Sequence, residues 1–95
     1  MSTVLSKEEL AKQLTTIEGW ELVEGKLHTQ IEFENFKEAF SMMTRIAFEA
    51  EALNHHPEWI NVYNQLDISL STHDEGGITQ KDIDLAKQIN ALIGW

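Results

Sequence analysis

The sequence predicts an α+β fold: a two-layer sandwich with a four-stranded antiparallel sheet and three helices on one face, in the order αββαββα. Three observations support this fold class. Stretches with apolar residues at three- and four-residue steps, typical of helices, are separated by paired stretches with period-two alternation, typical of hairpins. Each helical stretch starts with a capping signal. The chain has 95 residues and no internal linker, which predicts one small domain spanning 1–95.

The first helix begins at Ser6, an N-cap whose capping-box partner is Glu9. It should run to about Thr15. Two strand-like stretches follow, at residues 19–24 and 27–33, with a turn at Glu24-Gly25 between them. The second stretch alternates apolar and polar side chains, so this hairpin should have one face toward solvent.

The second helix is the longest and is capped by Asn35, with Glu38 three residues later. Its core-facing stripe is predicted to be Phe36, Phe40, Met43, Ile46 and Ala47. Three apolar residues fall off that stripe, namely Met42, Phe48 and Leu53. Pro57 should end the helix, because proline disfavours the helical conformation in the residue before it. Glu51 and His55, four apart, would then share one face of the helix end.

The second hairpin should turn near Asn64-Gln65. Its inward-facing residues are predicted to be Leu66, Ile68 and Leu70. A loop at residues 74–77 precedes the third helix, which repeats the logic of the first, with Thr79 as N-cap and Asp82 in the capping-box position. The core stripe of this helix should be Ala86, Ile89, Leu92 and Ile93.

Composition weighs against several classes of function. Sixteen acidic and seven basic residues give a formal charge of -9, which repels phosphate backbones and anionic lipids, so we predict no direct nucleic-acid partner and no membrane partner. No apolar run approaches the roughly 20 residues of a membrane span, and the chain has no cysteine. The first six residues lack the basic start and apolar core of a signal peptide. We therefore expect a cytoplasmic protein.

Three histidines are predicted to converge on one site. His55 and His56 follow the second helix, and His73 follows the fourth strand. Histidine, with an unperturbed pKa of about 6.5, offers both protonation states near neutral pH and suits acid–base catalysis. Glu51, one helical turn before His55, is placed to orient that ring.

These histidines and their neighbours resemble the pterin-4a-carbinolamine dehydratase family. The matching motifs are, in order, His55-His56-Pro57-Glu58-Trp59, Asn61-Val62-Tyr63, Leu70-Ser71-Thr72-His73, Gly77-Ile78-Thr79, and Asp82 with Leu85 and Ala86. The resemblance implies the same αββαββα fold. It also implies a hydro-lyase that dehydrates a 4a-hydroxytetrahydropterin to the quinonoid dihydropterin in tetrahydrobiopterin recycling. No metal and no organic cofactor are implied, because the pterin substrate supplies its own electrons.

The resemblance also assigns roles to residues. His55 and His73 act as acid and base on either side of the pterin, with their order left open, and His56 positions the substrate. Pterin contacts fall at Ser71 and Thr72, where backbone groups at a strand end are placed to bind the edge of a flat heterocycle.

Three further residues are candidates for substrate binding. Glu51 supports the histidines at the helix end. Trp59 is placed to pack on a bound ring, although a core position is the stronger explanation of a tryptophan there. Asp82 belongs to the family pattern, but its place in the capping box explains it without a role in catalysis.

Two other functions remain open at this point. Glu51 and the histidines are all zinc or iron ligand types, but the rings of the adjacent His55 and His56 diverge, which is awkward for a metal site. A protein-binding module is the second alternative, since animal members of the family are also dimerisation cofactors of a homeodomain transcription factor. The resemblance and two unpaired sheet edges together predict a homodimer or a homotetramer.

Overall fold

A computed structural model describes residues 3–94, so the first two residues of the segment considered for a signal peptide lie outside it. Its elements are α1 (Lys7–Leu14), β1 (Glu21–Val23), β2 (Lys26–Glu32), α2 (Phe36–Leu53), β3 (Glu58–Val62), β4 (Gln65–Leu70) and α3 (Gln80–Ile93). A short 3-10 turn, His73–Glu75, lies between β4 and α3. The predicted fold class and element order are confirmed.

The four strands form one antiparallel sheet in the order β1-β2-β4-β3, which leaves β1 and β3 at the edges. The predicted inward residues Leu66, Ile68 and Leu70 are fully buried. The first hairpin turns at Glu24-Gly25 as predicted, with φ of 50° and 78°, the positive values that a tight two-residue hairpin turn needs. The second hairpin turns at residues 63–64, one residue earlier than predicted.

The capping signals of α1 and α3 work as the sequence indicates. The side chain of Ser6 accepts from the backbone N–H of Glu9 at 3.1 Å, and the Glu9 side chain accepts from the Ser6 N–H at 3.1 Å. Thr79 and Asp82 form the same reciprocal arrangement at the start of α3. These contacts satisfy N–H groups that the first turn of a helix leaves without partners.

The predicted core stripe of α2 is partly wrong. Ile46 is buried, but Phe36, Phe40 and Ala47 are exposed. The residues of α2 that are buried are Ala39, Ile46 and Ala50. Two small residues on this face let α2 approach its neighbours closely, because a ridge of large side chains would hold the helix away. The phenylalanines are left on the outer side of the helix.

The end of α2 also differs from the prediction. Asn54, with φ of 51° and ψ of 43°, is the C-cap in the left-handed conformation, and His55 N–H donates back to the Ala50 carbonyl at 3.0 Å. Such a left-handed residue stops a helix, and asparagine adopts it more readily than most residues. The helix therefore ends before Pro57 can act, and His55 leaves the helical face of Glu51.

No helix in the described part of the chain is both long and apolar enough to cross a membrane.

Candidate active site

The end of α2, the end of β4 and the start of α3 meet around one cleft of about 300 Å³. It is lined by Asn54, His55, His56, Ser71, Thr72, His73, Asp74 and Lys81. The three predicted catalytic histidines therefore lie around one space, together with two of the predicted substrate-binding residues. The loop after α2 supplies His55 and His56, and the turn after β4 supplies His73, so the three histidines come from opposite ends of a 19-residue stretch of sequence.

A buried carboxylate holds His55 in place. The ring Nε2 of His55 is bonded to Oδ1 of Asp82, and Asp82 is completely buried. The other oxygen of Asp82, Oδ2, accepts from the Thr72 hydroxyl and from the Thr79 N–H, each at 2.9 Å. The Thr79 hydroxyl lies 2.7 Å from that of Thr72. Asp82 therefore caps α3 and fixes His55 at once, so the capping box explains only half of its role.

This network determines which nitrogen of His55 meets the buried carboxylate. An ionised carboxylate only accepts hydrogen bonds, so Nε2 of His55 carries a proton when it meets Asp82. The second ring nitrogen, Nδ1, takes no part in the contact with Asp82. Among the described residues, no buried side-chain nitrogen or oxygen lacks a hydrogen-bond partner, so the network is complete without a ligand.

The second histidine meets a different carboxylate. Nε2 of His56 lies 2.8 Å from Oε1 of Glu51, and both side chains are exposed. The prediction that Glu51 orients His55 is wrong, because Glu51 pairs with His56. The left-handed Asn54 turns the chain before His55, so the residue that comes back over the last turn of α2 is His56.

The remaining predicted residues divide into two groups. Ser71 and His73 line the cleft, and Ser71 is half-buried. The hydroxyl of Thr72 is bonded to Asp82, its N–H to the Gly77 carbonyl at 2.8 Å, and its carbonyl accepts from the turn that follows. These bonds favour a role for Thr72 in holding the site. Its predicted contact with substrate stays a prediction.

Trp59 is not brought to the histidine cleft. It is half-buried, packs against the core, and lines a separate groove of about 440 Å³ beside Glu51, His56, Pro57 and Phe48. The groove and the cleft share His56 alone among their lining residues. The core interpretation of Trp59 is consistent with this placement, and its contact with a bound ring stays a prediction.

Two lining residues, Asn54 and Asp74, were not predicted for the site, whereas the sequence placed Lys81 near the same pocket and it lines the cleft. Asn54 had a usable signal, because asparagine just beyond an apolar helical stretch is a candidate left-handed cap. Lys81 precedes the capping residue Asp82, which places it in the first turn of α3. Asp74 follows His73 directly, but nothing in its spacing distinguishes it from a solvated loop residue.

The geometry does not favour a metal site. Among residues 3–94, no group of three or more histidine, cysteine, aspartate or glutamate side chains is arranged to hold a metal ion. Nε2 of His55 faces Asp82, and Nε2 of His56 faces Glu51, so the two adjacent rings use these nitrogens in separate pairs.

Comparison with known proteins identifies the family. A sequence profile described as pterin 4 alpha carbinolamine dehydratase matches residues 3–92. The chain belongs to the pterin 4 alpha carbinolamine dehydratase family. Two relatives that carry the pterin-4-alpha-carbinolamine dehydratase name are similar over nearly their whole length. The one from Christiangramia forsetii is 54% identical over 98% of this chain and 96% of its own. The one from Solibacter usitatus is 52% identical over 97% of each chain.

A solved structure in this dehydratase family shares the fold. The crystal structure of a transcriptional coactivator/pterin dehydratase from Brucella melitensis matches with a TM-score of 0.90 and 40% identity, covering 94% of this chain and 97% of that one. The fold and the family resemblance predicted from the sequence are both confirmed by these matches.

Proposed function

We propose that this protein is a 4a-hydroxytetrahydropterin dehydratase, a hydro-lyase that uses histidine acid–base catalysis. The observation that carries the proposal is the convergence of three histidines on one cleft, with His55 held by a completely buried carboxylate. Membership of the dehydratase family supplies the substrate class. The histidines of the cleft are the groups that we propose carry out the reaction.

The proposed reaction converts the 4a-carbinolamine into the quinonoid dihydropterin and water. The lone pair of the ring nitrogen next to the carbinol carbon forms a C=N bond as the C–O bond breaks. The leaving hydroxyl takes a proton from an acid and departs as water, and the ring nitrogen loses its proton to a base. The electrons come from the substrate itself, so the step needs no oxidant, and its two proton transfers are the part that a protein can accelerate.

His55 and His73 are the proposed pair for these proton transfers. The buried Asp82 fixes the His55 ring and offsets the positive charge that the ring gains when it accepts a proton, as in other carboxylate–histidine pairs. His73 is exposed and lines the same cleft. His56, with its exposed partner Glu51, is proposed to position the substrate. Ser71, the residue directly after β4, is proposed to contact the edge of the pterin.

A dehydratase assay tests the proposal directly. Chemically generated 4a-hydroxytetrahydropterin is mixed with the protein, and formation of the quinonoid dihydropterin is followed by absorbance with and without a chelator. We expect acceleration over the spontaneous reaction that survives exhaustive chelation, because the histidines transfer protons and hold no metal. Absence of acceleration would reject the function. A stoichiometric metal whose removal abolishes activity and whose return restores it would favour the metal-binding alternative.

We place this reaction in cytoplasmic recycling of tetrahydrobiopterin or a related pterin. The absence of cysteine from the sequence is compatible with a reducing compartment, where disulfides are rare. The product is an oxidised dihydropterin, so a reductase must act next for the cofactor to be used again. Fractionation of the host cell tests the location, and recovery of the protein only outside the cytoplasm would contradict it.

We also propose that the chain forms a homodimer or homotetramer. The outer side of α2 exposes Phe36, Phe40 and Phe48 at 48%, 55% and 73%, and the edge strand β3 exposes Ile60 and Val62. An apolar face and an open sheet edge both favour association. Light scattering at low micromolar concentration should give a multiple of the 10.9 kDa chain mass, and Phe40→Ser should lower it. A monomer mass for the parent protein rejects this proposal.

A protein-binding role is the second candidate function. The Brucella neighbour is described both as a transcriptional coactivator and as a pterin dehydratase. In this chain the surface suited to a protein partner is the same exposed phenylalanine face of α2, which lies outside the histidine cleft. The two roles are therefore separable, and Phe36→Ser, which changes a residue lining neither the cleft nor the groove, should weaken a protein contact while leaving the turnover of the pterin unchanged.

A further inference from the structure

A short segment outside the cleft touches the turn that carries His73. Residues 3–5, here called the strap, run beside residues 72–77, here called the His73 turn. Thr3 donates from its backbone N–H and from its hydroxyl to the same oxygen of Glu75, Oε1, at 3.0 and 3.1 Å. The first residue of the strap is therefore bonded twice to the middle of the turn.

The rest of the strap contacts the end of the turn and Ile78, the residue that follows it. The Leu5 N–H donates to the Ile78 carbonyl at 2.8 Å. Val4 lies against Gly77, where an added Cβ atom would be 2.8 Å from Val4 Cγ1 and 3.2 Å from Cγ2. Real Cβ contacts essentially never fall below 3.0 Å, so this approach of Val4 requires a residue without a side chain at 77.

Backbone hydrogen bonds close the His73 turn on itself: the N–H groups of Glu75, Gly76 and Gly77 donate to the Thr72 carbonyl at 3.1, 3.0 and 3.4 Å. The Thr72 N–H donates to the Gly77 carbonyl at 2.8 Å. The three residues His73–Glu75 are exposed, so core packing does not fix their position. Exposed segments with few buried contacts open most easily. The internal bonds set the shape of the turn, and a contact from the strap adds a second tie between the turn and its surroundings.

We propose that the strap positions His73 for catalysis by holding the His73 turn against the start of α3. This inference rests on the proposed dehydratase function. Thr3, Val4 and Glu75 are then positioning residues, because none of them lines the histidine cleft. A reacting group that is misplaced by about 1 Å can lose on the order of 10²-fold in rate, so a contact that fixes this turn matters for turnover.

The charge of Glu75 suits this role. The backbone N–H and hydroxyl of Thr3, followed by the positive charge of Lys81, lower the pKa of Glu75 and outweigh the raising effect of desolvation. A lowered pKa means that the contact is fully present at neutral pH and is lost only as the pH falls through that lowered value. Lys81 also lines the cleft, so the strap contact and the cleft share one neighbour.

A steric pair of variants tests the strap without removing a polar group. Gly77→Ala places a methyl group against Val4 and should displace the strap or the turn, lowering kcat on the order of 10- to 100-fold with little change in KM. Adding Val4→Ala to this variant removes both methyl carbons that clash, while the bonds of Thr3 and Leu5 remain. The double variant should therefore recover most of the lost kcat.

A second set of variants tests the Thr3 contact. Glu75→Ala removes the acceptor and should lower kcat, whereas Glu75→Gln keeps Oε1 as an acceptor and should stay close to the parent. Glu34→Ala, at another exposed loop glutamate, is the matched control and should leave kcat unchanged. Two readouts need no substrate: the NMR resonances of the His73 ring should shift, and amide exchange at Gly76 and Gly77 should quicken, in Glu75→Ala only.

These outcomes separate the two proposals. An inactive parent protein overturns the dehydratase function, while the NMR and exchange readouts still decide whether the strap holds the turn. An active parent whose Gly77→Ala and Glu75→Ala variants keep the parental kcat overturns the strap inference. A fall in melting temperature with unchanged His73 resonances and unchanged kcat of the folded protein overturns it as well, because the strap would then only stabilise the fold.

Discussion

Two adjacent histidines each meet a carboxylate, but in opposite surroundings. In the His55–Asp82 pair the side chains are 9% and 0% exposed, whereas in the His56–Glu51 pair they are 58% and 79% exposed. The chemical groups are the same in kind, so burial makes the difference. Exposed pairs typically contribute about 0–1 kcal/mol because water and salt screen them. Removing the partner of a buried carboxylate lowers the stability of the fold far more than breaking an exposed pair does.

The difference also separates the jobs that the two rings can do. The Asp82 carboxylate also accepts from the Thr72 hydroxyl and from the Thr79 N–H, so the His55 ring has one orientation. His56 has one exposed partner and can adjust to a ligand. A group that transfers a proton benefits from the first arrangement, and a group that guides a substrate into place benefits from the second.

The largest effect should follow from disturbing the buried pair by Asp82→Asn. The asparagine can still accept from Thr79, but its amide then faces Nε2 of His55 as a donor, which forces the ring proton to the other nitrogen. Turnover should fall on the order of 10²–10⁴-fold, and stability should fall by about 1–3 kcal/mol. Steady-state kinetics and denaturant unfolding measure the two losses.

Asp84→Asn is the matched control for this variant. Asp84 is an exposed aspartate two residues further along α3, bonded to Gln80 at 3.0 Å, so its replacement should leave turnover unchanged and stability within about 0.5 kcal/mol. Parental turnover in Asp82→Asn would contradict the proposed difference between the two histidine–carboxylate pairs, since Asp82 would then serve only as a helix cap.

The sequence predicts the contacts of this site between residues that are close along the chain, but not those between residues that are far apart. The capping box of Thr79 and Asp82 lies within four residues, and its spacing is diagnostic. The contact between His55 and Asp82 joins residues 27 apart and exists only because the end of α2 packs beside the start of α3. The false expectation for Glu51 came from extending the helical period to His55, which Asn54 interrupts.

The same distinction applies to the fold. Strand alternation and helix caps are local, and the prediction of the inward residues of β4 was correct. The stripe of α2 was not predicted well, because both sides of that helix carry apolar residues. Hydrophobicity alone favours Phe36 and Phe40, whereas close packing selects Ala39 and Ala50. Sequence alone does not distinguish a face that packs in the core from one suited to another chain.

The second largest effect should come from His73→Ala. His73 is one of the two proposed proton-transfer groups, so turnover should fall on the order of 10²–10⁴-fold. Because its side chain is exposed and belongs to neither pair, stability should stay within about 0.5 kcal/mol. His55→Ala should differ from His73→Ala, because it should lower turnover and also lower the free energy of unfolding by about 1–3 kcal/mol, since it leaves Asp82 without its partner. Kinetics and thermal unfolding of both variants give the answer. Equal losses of stability would show that the site does not distinguish the two histidines in the way proposed.

The smallest effect should come from Glu51→Gln in the exposed pair. The glutamine keeps an oxygen that can face His56 but removes the charge, so stability should change by about 0–1 kcal/mol, less at high salt. Turnover should fall by less than about tenfold, the equivalent of 1.4 kcal/mol, with the change mainly in KM if His56 guides the substrate. Glu49→Gln, two residues earlier on α2, controls for the loss of a negative charge near the helix C-terminus. A loss as large as that of Asp82→Asn would mean that the bound substrate covers the pair and excludes water from it. In that case the contrast between the two histidines would hold for the free protein alone and disappear when the cleft is filled.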